Sequence, residues 1–364
     1  MSLLHQIALT QISGVGDILA RNLISYCGSA EAVFTTKKIS LLKIPGIGPK
    51  IVEAIKDRAV LLRAEKEIRF IERYGIETYF YADPQYPKRL KNCNDAPILI
   101  YFKGNCDLNR QRIINIVGSR KATEYGKEFT RRFVEGICQY NPIIVSGLAY
   151  GIDIAAHKEA LRNNLSTIGV LAHGLDKIYP GTHRSIAEKM LETGGLLSEF
   201  PSETNADREN FPKRNRIVAG IADATIVIEA GESGGALITA DIANSYNKDV
   251  FAVPGRVNDD YSIGCNNLIR DNKAQIITSA KDFVSFMLWE DKVKSNIKTI
   301  SLFVELSKDE KFVFDIISAE KSIYIDDLIF KCGFSCSFVS KILLQLEFNS
   351  LIKQLPGKYY TVIS

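Results

Sequence analysis

Lys213, Arg214 and Arg216 fall in the decapeptide FPKRNRIVAG, residues 211–220, beside Phe211 and Asn215 and directly ahead of an apolar run. Cations in a row suit successive phosphates of a polyanion better than they suit one bidentate ligand. Phe211 adds a face on which a base can stack, a sequence-tolerant contact worth about 1 to 3 kcal/mol. Arg208, three residues earlier, widens the strip. At least one of the three cations is expected to be tied to a carboxylate such as Glu199 or Glu229, with Arg216 the first candidate.

Three glycine-rich turns accompany this strip: VGSR (117–120), SGLAYGID (146–153) and EAGESGGALITA (229–240). The first offers backbone amides together with Arg120. The last places Ser233, Gly234 and Gly235 at a helix N-terminus, where free amides and the helix dipole favour an anion. None matches a dinucleotide or triphosphate loop, so no cofactor is implied. Asp153 and His157, at i and i+4, are neighbours on one helix. A carboxylate-oriented imidazole can serve as a general base, but no nucleophile accompanies it. The pair is read as structural, with Asp153 capping the helix and His157 packing against it or bonding to it.

The elements that must position these residues lie in the centre of the chain, residues 78–290. TYFYADPQYPKRLKNCNDAPILIYFKGN (78–105) has short β-prone runs between Pro and Gly turns and reads as antiparallel strands. Apolar strands then recur at INIVGS (114–119), PIIVSG (142–147), STIGVLAHG (166–174), GLLSEF (195–200), ATIVIEAG (224–231), DVFAVPG (249–255) and QIITSA (275–280). Helices separate them, one with Tyr125, Phe129, Phe133 and Ile137 along a single face. This alternation predicts an α/β fold, a Rossmann-like doubly wound and mostly parallel sheet. Ligands of such sheets sit beyond the carboxyl ends of the strands, which puts the glycine turns and the cationic strip on one rim.

Both ends differ from the centre. In residues 1–77, LTQISGVGDILARNLI (9–24) and LLKIPGIGPKIVEAI (41–55) align at an offset of 32, each reading as helix, Gly-x-Gly turn, helix. This tandem resembles the helix-hairpin-helix motif of DNA-repair and recombination proteins. Gly46, Gly48 and Lys50 of the second hairpin suit a phosphate; Asp17 of the first does not. Paired hairpins also serve as packing modules. Residues 291–307 read as a polar linker, and 308–364 as three short helices plus a hairpin, a winged-helix domain. Its candidate recognition helix carries only Lys341 and Glu347, while Val339, Ile342, Leu343 and Leu346 look like core; this favours protein contact over sequence readout.

Composition sets bounds on all of this. The 364 residues are 46% hydrophobic and 24% charged, enough for two or three domains with real cores, and the net charge of +4 permits nucleic-acid binding without arguing for it. The seven cysteines include no CxxC pair and the four histidines are not set near them, so no metal site is expected and reduced thiols in the cytoplasm are the simple reading. No stretch has the length of a membrane span.

The ordered series GSR, SGLAYGIDIAAH, GLDKIYP, SEFP, FPKRNRIVAG, EAGESGGALITA, VFAVPG and GCNNLI resembles the DNA-processing protein A family (DprA, also called Smf) over nearly the whole chain. That resemblance implies a cytoplasmic, non-enzymatic protein of natural transformation. Such a protein binds incoming single-stranded DNA, shields it from nucleases, loads the recombinase RecA and dimerises through its Rossmann-like domain. Carried over by position, the DNA pocket would include Arg120, Phe211, Lys213, Arg214 and Asn215, with backbone contacts from Gly118, Ser119, Ser146, Gly147 and Ser233–Gly235. The sequence departs from many relatives at Ala172–His173, His183 and Asn272–Lys273, which flank the groove. The runner-up is a nucleotide hydrolase, because GESGGALITA is similar to the PGGxGTxxE loop of nucleoside-monophosphate phosphoribohydrolases. Here that loop lacks its Pro, and Ile242 stands where its Glu would be.

Overall fold

In a computed structural model, residues 2–289, 306–320, 322–349, 351–355 and 357–362 are described, so most of the expected linker 291–307 lies outside them. The chain forms two compact units, 1–289 and 290–364. The first contains a nine-stranded sheet: β1 (Glu77–Phe80), β2 (Leu99–Gly104), β3 (Ile113–Val117), β4 (Ile143–Ser146), β5 (Thr167–Val170), β6 (Gly195–Ser198), β7 (Ala224–Val227), β8 (Asp249–Ala252) and β9 (Gln275–Ile276). Their order across the sheet is β1-β2-β6-β5-β4-β3-β7-β8-β9.

From β6 to β9 every neighbouring pair is parallel, while β2 joins β6 and β1 joins β2 antiparallel. Parallel strands need covering on both faces, and β3 through β7 are buried at every position. Alternate residues feed two cores: Ile113, Val117, Ile143 and Val145 face one, and Ile114, Ile116 and Ile144 face the other. The strands are shorter than the apolar runs because each run continues into the loop that leaves the sheet. The aromatic face expected on the helix Glu124–Ile137 is buried at Phe133 and Ile137. Tyr125 instead stays half exposed, its hydroxyl donating to the Pro254 carbonyl at 2.9 Å.

The hairpin tandem is not a separate body. Gly14 and Gly46, at φ of +80° and +82°, make the two left-handed turns that the Gly-x-Gly spacing requires. The apolar faces of the helices they connect then share a core with Phe80, Ile98, Leu99 and Tyr101, from and beside the antiparallel extension. A second junction is polar: Glu67, only 1% exposed, takes the Ser202 amide at 2.9 Å and the Ser202 hydroxyl at 2.6 Å.

In the second unit, helices Lys308–Ala319, Ile325–Cys332 and Cys336–Phe348 precede a hairpin of Ile352–Leu355 and Tyr359–Val362. The third helix buries Val339, Ile342, Leu343 and Leu346, as its spacing predicts.

Candidate nucleic-acid interface

β3 and β7 are sheet neighbours although three strands separate them in sequence order, so chain progression reverses between them. At such a switch point the loops after the strands part and leave a crevice. A trough of about 730 Å³ opens there, lined by Gly118–Arg120, Gly147, Tyr179, Arg208, Phe211, Gly231 and Ser233–Gly235, among others.

Close interlocking of loops explains the glycines. The Ser119 amide donates to the Glu229 carbonyl at 2.7 Å, and Ile152 donates to the Ser119 carbonyl at 3.1 Å. A Cβ on Gly151, whose φ is +80°, would lie 2.0 Å from that Ser119 oxygen. One on Gly147 would lie 2.5 Å from the Arg214 guanidinium. The SGLAYGID loop therefore holds the VGSR loop in place, leaving Arg120 exposed at the rim.

The cations of FPKRNR have three different fates, set by their phase on the helix Asn210–Ile221. Lys213 is exposed and makes no ion pair among the described residues. Arg214, 4% exposed, donates to the carbonyls of Gly147 and Val170 and, through Nε, to Asn215 Oδ1 at 3.2 Å. Burial pushes its pKa down to about 10, with nearby Arg120 acting the same way and Asp153 opposing. It thus stays charged at neutral pH, a fixed positive charge at the trough floor. Arg216 pairs with Glu199 and Asp17, the carboxylate role expected of it. Asn215 lines the trough and donates to the Gly235 carbonyl at 3.4 Å.

Phe211 is engaged within the protein. Phe211 has the Arg120 guanidinium over its ring, 5.4 Å from the centroid. Arg208 is exposed at the margin. Ser146 is set apart: it is fully buried in β4, and its hydroxyl donates to the Ile116 carbonyl at 2.6 Å, so β4 reaches the trough through Gly147 instead. Gly46, Gly48 and Lys50 lie at the second hairpin, with Gly46 and Lys50 exposed. Asp17 of the first hairpin faces inward, accepting the Ile98 amide at 2.8 Å.

Asp153 is the sole carboxylate among the described residues lining the trough. It accepts the amides of Gly147 at 3.2 Å and Ala149 at 3.4 Å. It therefore pins the turn upstream of its helix rather than capping the helix itself. Burial raises its pKa, and Arg214 opposes that rise. His157 does not bond to Asp153. Its Nδ1 lies 2.6 Å from Thr167 Oγ1, whose own proton goes to the Ile144 carbonyl at 2.9 Å. Nδ1 must therefore be the donor. Fully buried, His157 has its pKa pushed down to about 3 and is neutral. His157 does not line the trough, and Ile242, at the position of a hydrolase glutamate, packs against the core. Tyr179, from the GLDKIYP motif, also lines the trough, a placement that no local pattern in the sequence marks.

The description "DNA recombination-mediator protein A" matches residues 77–288, a SAM-like helix-hairpin-helix tandem matches 7–60, and a DprA winged-helix domain matches 304–358. Protein Smf of Synechocystis is 32% identical over 98% of both chains. DNA processing protein DprA of Bacillus subtilis is 41% identical over 57% of this chain and 70% of its own. Among solved structures, DprA from Streptococcus pneumoniae superposes with a TM-score of 0.64 at 28% identity, covering 78% of this chain and 98% of that one. DNA processing protein A from Helicobacter pylori, described for its single-stranded DNA binding mode, gives 0.54 at 29% identity, covering 59% and 96%. With the trough, the sheet order and both end domains in agreement, the chain belongs to the DNA recombination-mediator protein A family.

Proposed function

We propose that this protein captures single-stranded DNA without regard to sequence, protects it and loads RecA onto it during natural transformation. It acts as a binding protein rather than an enzyme, in the cytoplasm and as a homodimer through the Rossmann-like domain. The reading rests first on one observation: exposed Arg120 and Arg208, with buried Arg214, line a trough whose only lining carboxylate, among the described residues, accepts backbone amides, and exposed Lys213 precedes Arg214 on the same helix. Side-chain contacts are assigned to Arg120, Arg208, Phe211, Lys213 and Asn215. Main-chain contacts are assigned to Gly118 and Ser233–Gly235; the amides and carbonyls of Ser119 and Gly147 are already bonded within the protein, so these two residues shape the rim instead, and Arg214 supplies buried charge. No described helix is long and apolar enough to cross a membrane.

A thread of phosphates with unstacked bases fits a trough that combines amides, cations and aromatic rings. Duplex DNA offers no free base faces. Competition between single-stranded and duplex oligonucleotides tests the reading, with single strands of any sequence expected to win and a duplex preference refuting it. RecA filament formation on DNA pre-coated with single-strand-binding protein tests the loading step, which should accelerate in its presence. Light scattering tests the dimer.

A further inference from the structure

Resting on that reading, we propose that Tyr179 is a second base-stacking platform, working beside Phe211 so that successive or inserted bases of a single strand are held by two rings. Tyr179 lines the trough and is 55% exposed. Its ring centroid lies 6.3 Å from that of Phe211, with the planes inclined at 59°. A base between two parallel rings needs about 7 Å, twice the ~3.4 Å rise of stacked bases along a strand. The two rings thus form a wedge close to that width, and turning Tyr179 toward parallel would complete it.

The Tyr179 hydroxyl has no hydrogen-bond partner among the described residues, so no polar contact accounts for an aromatic left largely in water. Its loop, in contrast, is anchored. Pro180 is buried, and His183 Nδ1 lies 2.9 Å from the Leu148 carbonyl, fastening the segment to the SGLAYGID loop. Tyr150 braces the same segment, its hydroxyl 3.2 Å from Thr182 Oγ1 and its ring 4.9 Å from that of His183. A fixed backbone carrying an unbonded ring at the mouth of a cationic trough is what a stacking contact requires. Because no charge is involved, the contact should be blind to salt and sensitive to the presence of bases.

The test compares Tyr179→Ala and Tyr179→Phe with the unaltered protein. The probes are a deoxythymidine oligomer and an abasic oligomer of equal length, each titrated at several salt concentrations. Expected are a loss of roughly tenfold for Y179A on the deoxythymidine oligomer, no change on the abasic one, an unaltered salt slope, and wild-type behaviour for Y179F. Equal losses on both oligomers would make Tyr179 a mere support for Phe211 and overturn the proposal. So would undiminished binding of the deoxythymidine oligomer by Y179A. Failure of the unaltered protein to bind the deoxythymidine oligomer would instead refute the parent reading, and this one with it. Matching thermal melts of the variants confirm that the loop is intact.

Discussion

Arg216 Nη2 lies 2.9 Å from Asp17 Oδ2, across 199 residues of chain, and the same guanidinium meets Glu199 and the Asp95 carbonyl. The first hairpin is thereby bonded to the helix that carries the trough cations. Side chains of Arg216 and Glu199 are each 12% exposed, so this is a largely desolvated cluster. Removing the cation from such a cluster leaves carboxylates buried without a partner, typically costing about 3 to 5 kcal/mol. Arg216→Ala is expected to lower stability by about 3 kcal/mol in denaturant titration, with a smaller effect on the salt dependence of DNA binding than Lys213→Ala.

Lys213 and Arg214 should separate cleanly. For single strands, each phosphate neutralised contributes about −0.7 to the slope of log affinity against log salt. Arg120→Ala and Lys213→Ala are each expected to flatten that slope by about 0.7, equally for all sequences, with little change in melting. Arg214→Ala strips the bonds to Gly147 and Val170 and the counter-charge of Asp153. It should destabilise the fold by about 3 kcal/mol. Salt titration beside thermal melting distinguishes the two classes.

Gly151→Ala tests the interlock of loops. Its Cβ would strike the Ser119 carbonyl at 2.0 Å, in a left-handed conformation that disfavours any side chain. A cost of at least about 1 to 3 kcal/mol is expected. Single-strand binding should fall with it, because Arg120 follows the displaced carbonyl. The measurement pairs a melting curve with an oligonucleotide titration.

His157 sets an acid limb. Burial takes its pKa down from 6.5 to about 3, so the unfolded chain binds a proton that the folded protein refuses. Its contribution to stability is complete above pH 6.5 and is lost as pH falls from there toward 3, at up to about 1.4 kcal/mol per pH unit. His173, also lowered by burial, acts in the same direction. His157→Gln should reduce the slope of stability against pH in that window while leaving single-strand binding at pH 7.5 unchanged.

Much of this architecture can be read from residue patterns, since buried parallel strands are apolar runs and the repeat of Gly14 and Gly46 marks two hairpins. The fates of the three cations were partly legible too. Arg214 is three, four and seven residues ahead of Ile217, Val218 and Ile221, all buried, so the helical period already turns it inward. Glu199 was named as a partner for Arg216, but Asp17 was not, because no local pattern links positions so far apart. Tyr179 escaped for the same reason: its neighbour Phe211 lies 32 residues on, and only the meeting of two loops at the switch point brings the rings together.

The hairpin tandem is commonly thought of as a detachable cassette, yet here Phe80, Leu99 and Tyr101 are common property of both parts. A chain cut just ahead of Glu77 would present that greasy plate to water, leave Ser202 without Glu67 and take Asp17 away from Arg216. Hairpins and sheet are therefore one folding body, and a fragment of this chain that begins at the first strand should melt well below one that begins at the first helix.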